Sequence, residues 1–272
     1  MKKAGLLFIL IISSLFSMAQ DDTYNTKGRT ARLSSDTMTV DVLVIPASKK
    51  LYSSFFDRQM TKENNIDTKT LVDTTLATLA SQVAKAFNES VPAGVIPESK
   101  TGFSQDMNFV YESFEYKYEL LPEPEKEETT LNKWKKKLPK KEAKPEPRRG
   151  TYMEGGQIMS NPETRARYTN IEILNSDFLF ILNKKYSATT FVFINHYEMV
   201  IPSNVSQIDI QSDNYPRLLK VHYSVVNLKG EIIHSGLVTQ NSSSFDNKLD
   251  YLFENSFLQL GYQIKLELEK SL

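Results

Sequence analysis

The chain has 272 residues, with 33 basic against 33 acidic side chains, no cysteine and 40% hydrophobic residues. That is enough chain to bury a core as one large domain or two small ones, and the apolar content argues against wholesale disorder. Zero cysteine excludes disulfides, thiolate metal sites, a cysteine nucleophile and a lipid-modified amino-terminal cysteine, and zero net charge argues against a generally basic nucleic-acid binder.

Residues 1–19 have the anatomy of an export signal. Lys2 and Lys3 give a positive start, residues 6–16 an apolar run of eleven, and Ser17, Met18 and Ala19 the small-x-small pattern that signal peptidase reads. The run is too short to cross a hydrocarbon core of roughly 30 Å as a helix. Cleavage is therefore expected, with a retained membrane anchor as the alternative. Removal of residues 1–19 takes two lysines, leaving 31 basic against 33 acidic residues. No later stretch has eighteen consecutive apolar residues, so no transmembrane span is expected in the mature chain. The Ala19-Gln20 exit resembles the leaders of exported Bacteroidetes proteins. That resemblance implies a periplasmic address, with the inner face of the outer membrane as one place of work.

Residues 20–36 are polar and aperiodic and read as a flexible tail. Residues 37–121 then form the first part of an α/β domain. Residues 39–45 (TVDVLVI), stopped by Pro46, have the near-continuous apolar character of a strand buried on both faces. A polar loop follows, holding Lys49, Lys50, Tyr52, Ser53, Ser54, Asp57 and Arg58. Leu71, Val72, Leu76, Leu79, Ala80, Val83, Ala84 and Phe87 recur at three- and four-residue steps and predict an amphipathic helix, with Asp67 or Thr68 as its cap and Pro92 beyond its end. Ser104 caps a second expected helix with the stripe Met107, Val110, Phe114, Tyr118 and Leu121. The alternation of Phe114, Tyr116, Tyr118 and Leu120 leaves a strand as the alternative there.

Residues 122–157 read as a disordered charged insertion. They pass from an acidic start to a basic run, with five prolines between residues 122 and 147, and offer little apolar surface to offset the entropy of ordering. Residues 158–272 return to the same α/β domain. A strand is expected at 167–173, a short helix at 177–186 capped by Ser176, and a buried strand at 189–201 around FVFINHYEMVI. Residues 218–226 and 231–238 flank Asn227, Leu228, Lys229 and Gly230, which predicts a hairpin with glycine at positive φ. A terminal helix carries the stripe Leu249, Leu252, Phe253, Phe257, Leu260, Ile264 and Leu268. Strands interleaved with helices, plus one hairpin, predict an α/β sandwich with a mixed sheet.

The order of these pieces resembles a known fold. The first strand (Asp41, Val42, Leu43, Val44, Ile45), the alanine-containing helix, the middle strand (Phe191, Val192, Phe193, Ile194, Asn195), the Lys229-Gly230-Glu231 hairpin and the final helix are similar in order to the α/β fold of the curli secretion subunit, the amino-terminal domain of TolB and the lipoprotein activators of penicillin-binding proteins. The resemblance covers about residues 39–118 and 165–270. It implies a non-enzymatic envelope protein that works through protein contacts, and it transfers no functional residue. The absent lipid-anchor cysteine and the charged insertion set this chain apart.

Motifs for chemistry are missing. His196, His222 and His234 have no zinc spacing, and no metal site or cofactor is expected. His222 and His234 lie on the two arms of the hairpin, where the register decides whether they meet. No Gly-x-Ser-x-Gly elbow, dinucleotide fingerprint or Walker loop occurs, and Lys100-Thr101-Gly102 lacks a preceding Ser-x-x-Lys. No catalytic residue is assigned.

Two binding candidates remain. One is the loop after the first strand, through Lys49, Tyr52, Asp57 and Arg58, because ligands of open α/β sheets gather beyond the carboxyl ends of strands. The other is the basic run starting Lys133, Trp134, Lys135, Lys136 and Lys137, where nine basic residues face Glu142 and Glu146 over residues 133–149. The expected function is an exported accessory or assembly protein that holds an envelope protein or an anionic envelope polymer, not nucleic acid. A motif-free hydrolase is the alternative, and insertion into the outer membrane ranks last. The sequence leaves the oligomeric state open.

Overall fold

The computed structural model describes residues 23–26, 29–32, 39–96, 105–121, 150–154, 156–161, 165–212, 215–243 and 245–271. Its centre is a mixed sheet of six strands: β3 (Val42–Ile45), β4 (Tyr52–Ser54), β5 (Ala93–Val95), β10 (Thr190–Val200), β11 (Pro216–Asn227) and β12 (Ile232–Ser243). The path runs β12-β11-β10-β3-β5. The first two pairings are antiparallel and the last two parallel, and β4 pairs with β10 beyond the end of β3. All four residues of β3 are buried, as a central strand covered on both faces requires.

One face of the sheet is covered by helix α2 (Thr68–Asn88) and by the carboxy-terminal helix. A short α5 (Gln207–Gln211) lies between β10 and β11; the carboxy-terminal helix starts as α6 (Leu249–Tyr251), widens into a π-helical segment at Leu252–Phe257 and ends as α7 (Leu258–Ser271). Asp67 caps α2 by accepting from the Thr70 amide. Gly261 lets α7 approach α2. A Cβ there would stand 3.0 Å from both the Ala86 Cβ and the Val83 Cα.

The other face carries α3 (Gln105–Tyr111), α4 (Asp177–Tyr186) and an antiparallel ribbon of β6 (Phe114–Leu120) and β9 (Arg167–Ile173). The α/β sandwich with a mixed sheet is thus the observed architecture. Among the described residues, no helix is long and apolar enough to cross a membrane.

Several local expectations change. The second expected helix stops at Tyr111 and gives way to β6, so the alternation at Phe114, Tyr116 and Tyr118 outweighs the helical stripe. The deciding partner is distant. β9 supplies a full ladder from Phe114↔Ile173 to Leu120↔Arg167, and Phe114 packs edge-on against Phe193. The polar loop after β3 is also structured. It holds a 3-10 turn at Lys49–Leu51, then β4, then α1 (Asp57–Asn64), because β10 outruns β3 and leaves Tyr197, Glu198 and Met199 free to pair with Tyr52, Ser53 and Ser54.

Inside the stretch read as a tail, β1 (Thr23–Thr26) and β2 (Arg29–Arg32) form a small hairpin. A second, β7 (Gly150–Glu154) with β8 (Gln157–Asn161), straddles the boundary expected at 157 and turns through Gly156 at φ 82°. At the start of α4 the Asp177 amide donates to the Asn175 side-chain oxygen, whereas the Ser176 side chain makes no capping bond. The β11–β12 turn does use Gly230 at φ 83°, but both arms run longer than expected.

Candidate functional site

The sheet's second face is built from β10 and β11 in two halves. Near the start of β10, Phe191 and Phe193 pack with Val226, Phe178 and Phe114 in an apolar cluster. Further along, the same face holds Asn195, His196 and Glu198 from β10 and Lys220, His222 and Ser224 from β11. A β-bulge makes this possible. Ile194 pairs with Tyr223 and His196 with His222, so Asn195 is an extra residue on β10. Strict alternation from Val192 and Ile194 would drive His196 and Glu198 into the helix-covered core. The extra residue reverses the phase, sending Tyr197 and Met199 into that core and both polar side chains to the other face.

His196 and His222 stand directly opposite each other, with ring centroids 5.0 Å apart. Glu198 lies two cross-strand pairs further on, the next on the same face, opposite Lys220. Its Oε1 is 3.5 Å from His196 Nδ1 and 3.6 Å from His222 Nε2, and its Oε2 is 3.3 Å from Lys220 Nζ. The β9 strand closes the cluster from above. The Thr169 amide donates to His222 Nδ1 at 2.7 Å, and the Thr169 hydroxyl is 3.5 Å from His196 Nδ1. Asn195 donates from Nδ2 to the Thr169 carbonyl and to Ser224 Oγ, while Ser224 donates to Asn170 and Asn170 to Glu119. Through these bonds the sheet holds its covering ribbon by a buried polar network where apolar packing ends.

The Thr169 bond also fixes the chemistry of His222. A backbone N–H can only donate, so Nδ1 carries the lone pair and the neutral ring carries its proton on Nε2. That nitrogen is buried and makes no hydrogen bond, and Glu198 Oε1 lies 3.6 Å from it. Burial, then the adjacent His196 and Lys220, push the His222 pKa down to about 4 against the pull of Glu198. Burial is also the main reason His196 is lowered, with Glu198 opposing and Lys220 assisting. Both shifts favour the neutral ring.

His196, Glu198 and His222 place one ligand atom each within 4.8 Å of one another, which is metal-site spacing. The donor set does not fit a metal. A ring that accepts at Nδ1 and also bound a cation at Nε2 would have to be an imidazolate, and the third partner, Glu198, is already neutralised by Lys220. The cluster is instead a closed polar seam. Its partly exposed rim is Glu198 and Lys220, with Ser53 of β4 paired beside Glu198.

The residues singled out in the sequence are placed differently. Lys49 pairs with Asp73 of α2. Tyr52 stacks on the buried Tyr197 at 5.5 Å and donates to Asp57 at 2.7 Å; burial, and then Asp57, raise its pKa. Three of the four loop candidates thus hold the loop to the domain, and of the four only Arg58 is exposed. Lys133, Trp134, Lys135, Lys136 and Lys137 lie outside the described residues. His234 does not meet His222. The register sets His222 against Leu237, while His234 stacks on Tyr223 and shares a 3.0 Å hydrogen bond with its hydroxyl.

Sequence reasoning missed the His196–His222 pair. The available signal was the doublet Asn195-His196, two adjacent polar residues that break the phase of an apolar strand. The chain matches no protein-family model, and no curated protein matches its sequence.

Proposed function

We propose that this chain is an exported, non-enzymatic accessory protein of the periplasm that acts by holding a partner protein or an anionic envelope polymer. The observation that carries the reading is the inward wiring of its one cluster, among the described residues, of two histidines and a carboxylate. His222 is spent on the Thr169 amide and Glu198 on Lys220, and the hydroxyl that reaches His196, that of Thr169, is fully buried. His196 and Glu198 are partly open to solvent, but among the described residues neither hydrogen-bonds to an exposed hydroxyl that could serve as a nucleophile. The export signature of residues 1–19 and the basic run of residues 133–149 support a role in the envelope. A hydrolase reading would rest on Ser53 beside Glu198, but Ser53 bonds to neither histidine.

Cross-linking the tagged protein in the living envelope, followed by recovery and mass spectrometry, tests the reading. The expected result is a chain beginning at Gln20, joined to an envelope protein or polymer. Recovery of nothing above background, or of the untrimmed 272-residue chain in the cytosol, overturns it.

A further inference from the structure

The helix-covered face of the sheet loses its apolar character toward one end. Along the β11–β12 ladder the pairs on that face run Val221↔Val238, Leu219↔Gln240 and Arg217↔Ser242, from two valines to two polar residues. Between this polar end and the start of the carboxy-terminal helix lies a cleft of about 570 Å³, within the size range of small-ligand sites. Tyr251, Asn255 and Gln259 enter its wall at four-residue steps, so they share one side of the helix. That stripe passes through the π-helical segment, a backbone form frequent at functional sites.

The lining is chemically one-sided. Asn241, Asn255 and Gln259 are exposed and bring side-chain amides, which both donate and accept hydrogen bonds. Among the described residues that line the cleft, Asp246 is the one charged side chain. Its Oδ2 accepts from the Ser242 hydroxyl at 3.1 Å and from the Ser243 amide at 3.0 Å. Arg217, opposite Ser242, is buried, with Nη2 donating to Gln59 and Asn247 and Nη1 to the Asp246 carbonyl. An anionic ligand would therefore meet a carboxylate and no open cation. A purely apolar ligand would take water from the amides without replacing its hydrogen bonds. Tyr251 adds an aromatic ring that is 53% exposed.

We propose that this cleft is a saccharide site, taking an uncharged sugar chain. Its hydroxyls would exchange hydrogen bonds with the Asn241, Asn255 and Gln259 amides, and the C–H face of one sugar ring would lie on Tyr251. A sugar is polar around its edge, apolar across its face and without net charge. It thus matches the two-way amides, the open aromatic ring and the lack of a lining cation together. A folded protein partner fits less well, since a stable protein interface covers about 800 Å² on each side and needs no concavity of this kind. The inference goes beyond the proposed role, because the cleft is a surface separate from the basic run and neither requires the other.

Calorimetric titration of the purified chain with uncharged hexamers of glucose, mannose, galactose and N-acetylglucosamine tests the assignment. At least one hexamer is expected to bind with a Kd below about 1 mM, unchanged as salt rises from about 0.05 to about 0.5 M, because no ion pair takes part. Tyr251→Ala is expected to weaken that binding about tenfold, and Tyr251→Phe by less than about threefold, since phenylalanine keeps the stacking ring. With the ring half exposed, both variants should keep the parent unfolding midpoint, so that lost binding reports the contact and not the fold. No binding by any hexamer at about 5 mM overturns the inference. So does a preference for polygalacturonate, a polyanion, over the uncharged hexamers, and so do equal affinities of Tyr251→Ala and the unaltered chain. A peptide bound in the cleft while every sugar fails overturns it as well.

Discussion

The two faces of the central sheet are made by the same strands and held by different physics. On the helix-covered face, Val192, Ile194, Tyr197 and Met199 of β10 and Leu219, Val221, Tyr223 and Val225 of β11 meet α2, the π-helical segment and α7 with almost nothing but apolar contact. On the opposite face, apolar packing holds only one half. The other half is joined to β9 by Asn195, Ser224, Asn170 and His222 through hydrogen bonds. The first face is constrained by volume and close approach, as at Gly261, whereas the second specifies a particular partner strand, since each donor must find its acceptor.

The comparison breaks most severely on the apolar side. Phe257 is fully buried and sits edge-on to Tyr197 at 5.8 Å. Phe257→Ala should cost about 3–5 kcal/mol in denaturant unfolding. A cost below about 1 kcal/mol would show that this face is not the main source of stability.

Acid should act on the polar side. His222 has a folded pKa of about 4 and an ordinary unfolded value near 6.5, and His196 is shifted the same way. A lowered histidine contributes its full stability above the unfolded pKa. Its share is lost as pH falls from about 6.5 to 4, where the unfolded chain takes up protons that the folded chain refuses, and the loss levels off below that. For His222 the loss amounts to on the order of 2–3 kcal/mol. Unfolding free energies measured at intervals from pH 7 to pH 4 should fall along that curve, and His222→Gln should flatten it. An unchanged slope in the variant would place the protons elsewhere.

The smallest effects distinguish inward from outward residues in the segment after β3. Tyr52→Phe removes the hydrogen bond to Asp57 and should cost about 1 kcal/mol. Arg58→Ala, on an exposed turn of α1, should change stability by less than about 0.5 kcal/mol. Thermal or chemical denaturation of both variants checks the ranking, and equal costs would contradict the placement of Tyr52.

Much of the fold was legible because it is written in local periods. The stripe from Leu71 to Phe87, the apolar run before Pro46 and the Gly230 turn each name their element without reference to anything distant. The candidate site was not legible for the opposite reason. His196 and His222 are 26 positions apart and become neighbours only through one extra residue at Asn195. The tautomer of His222 depends on an amide of β9, 53 positions away.

Composition and periodicity alone therefore determined the class of architecture, the lack of thiol chemistry and the export-like start, since each follows from residue type or from spacing along one element. Tertiary structure alone decided that residues 114–120 extend as a strand, that the segment after β3 folds inward, and that two histidines face each other under β9. Those outcomes depend on which strands become neighbours. Pairing partners compete for the whole chain at once, and a single inserted residue reverses the faces of every side chain beyond it.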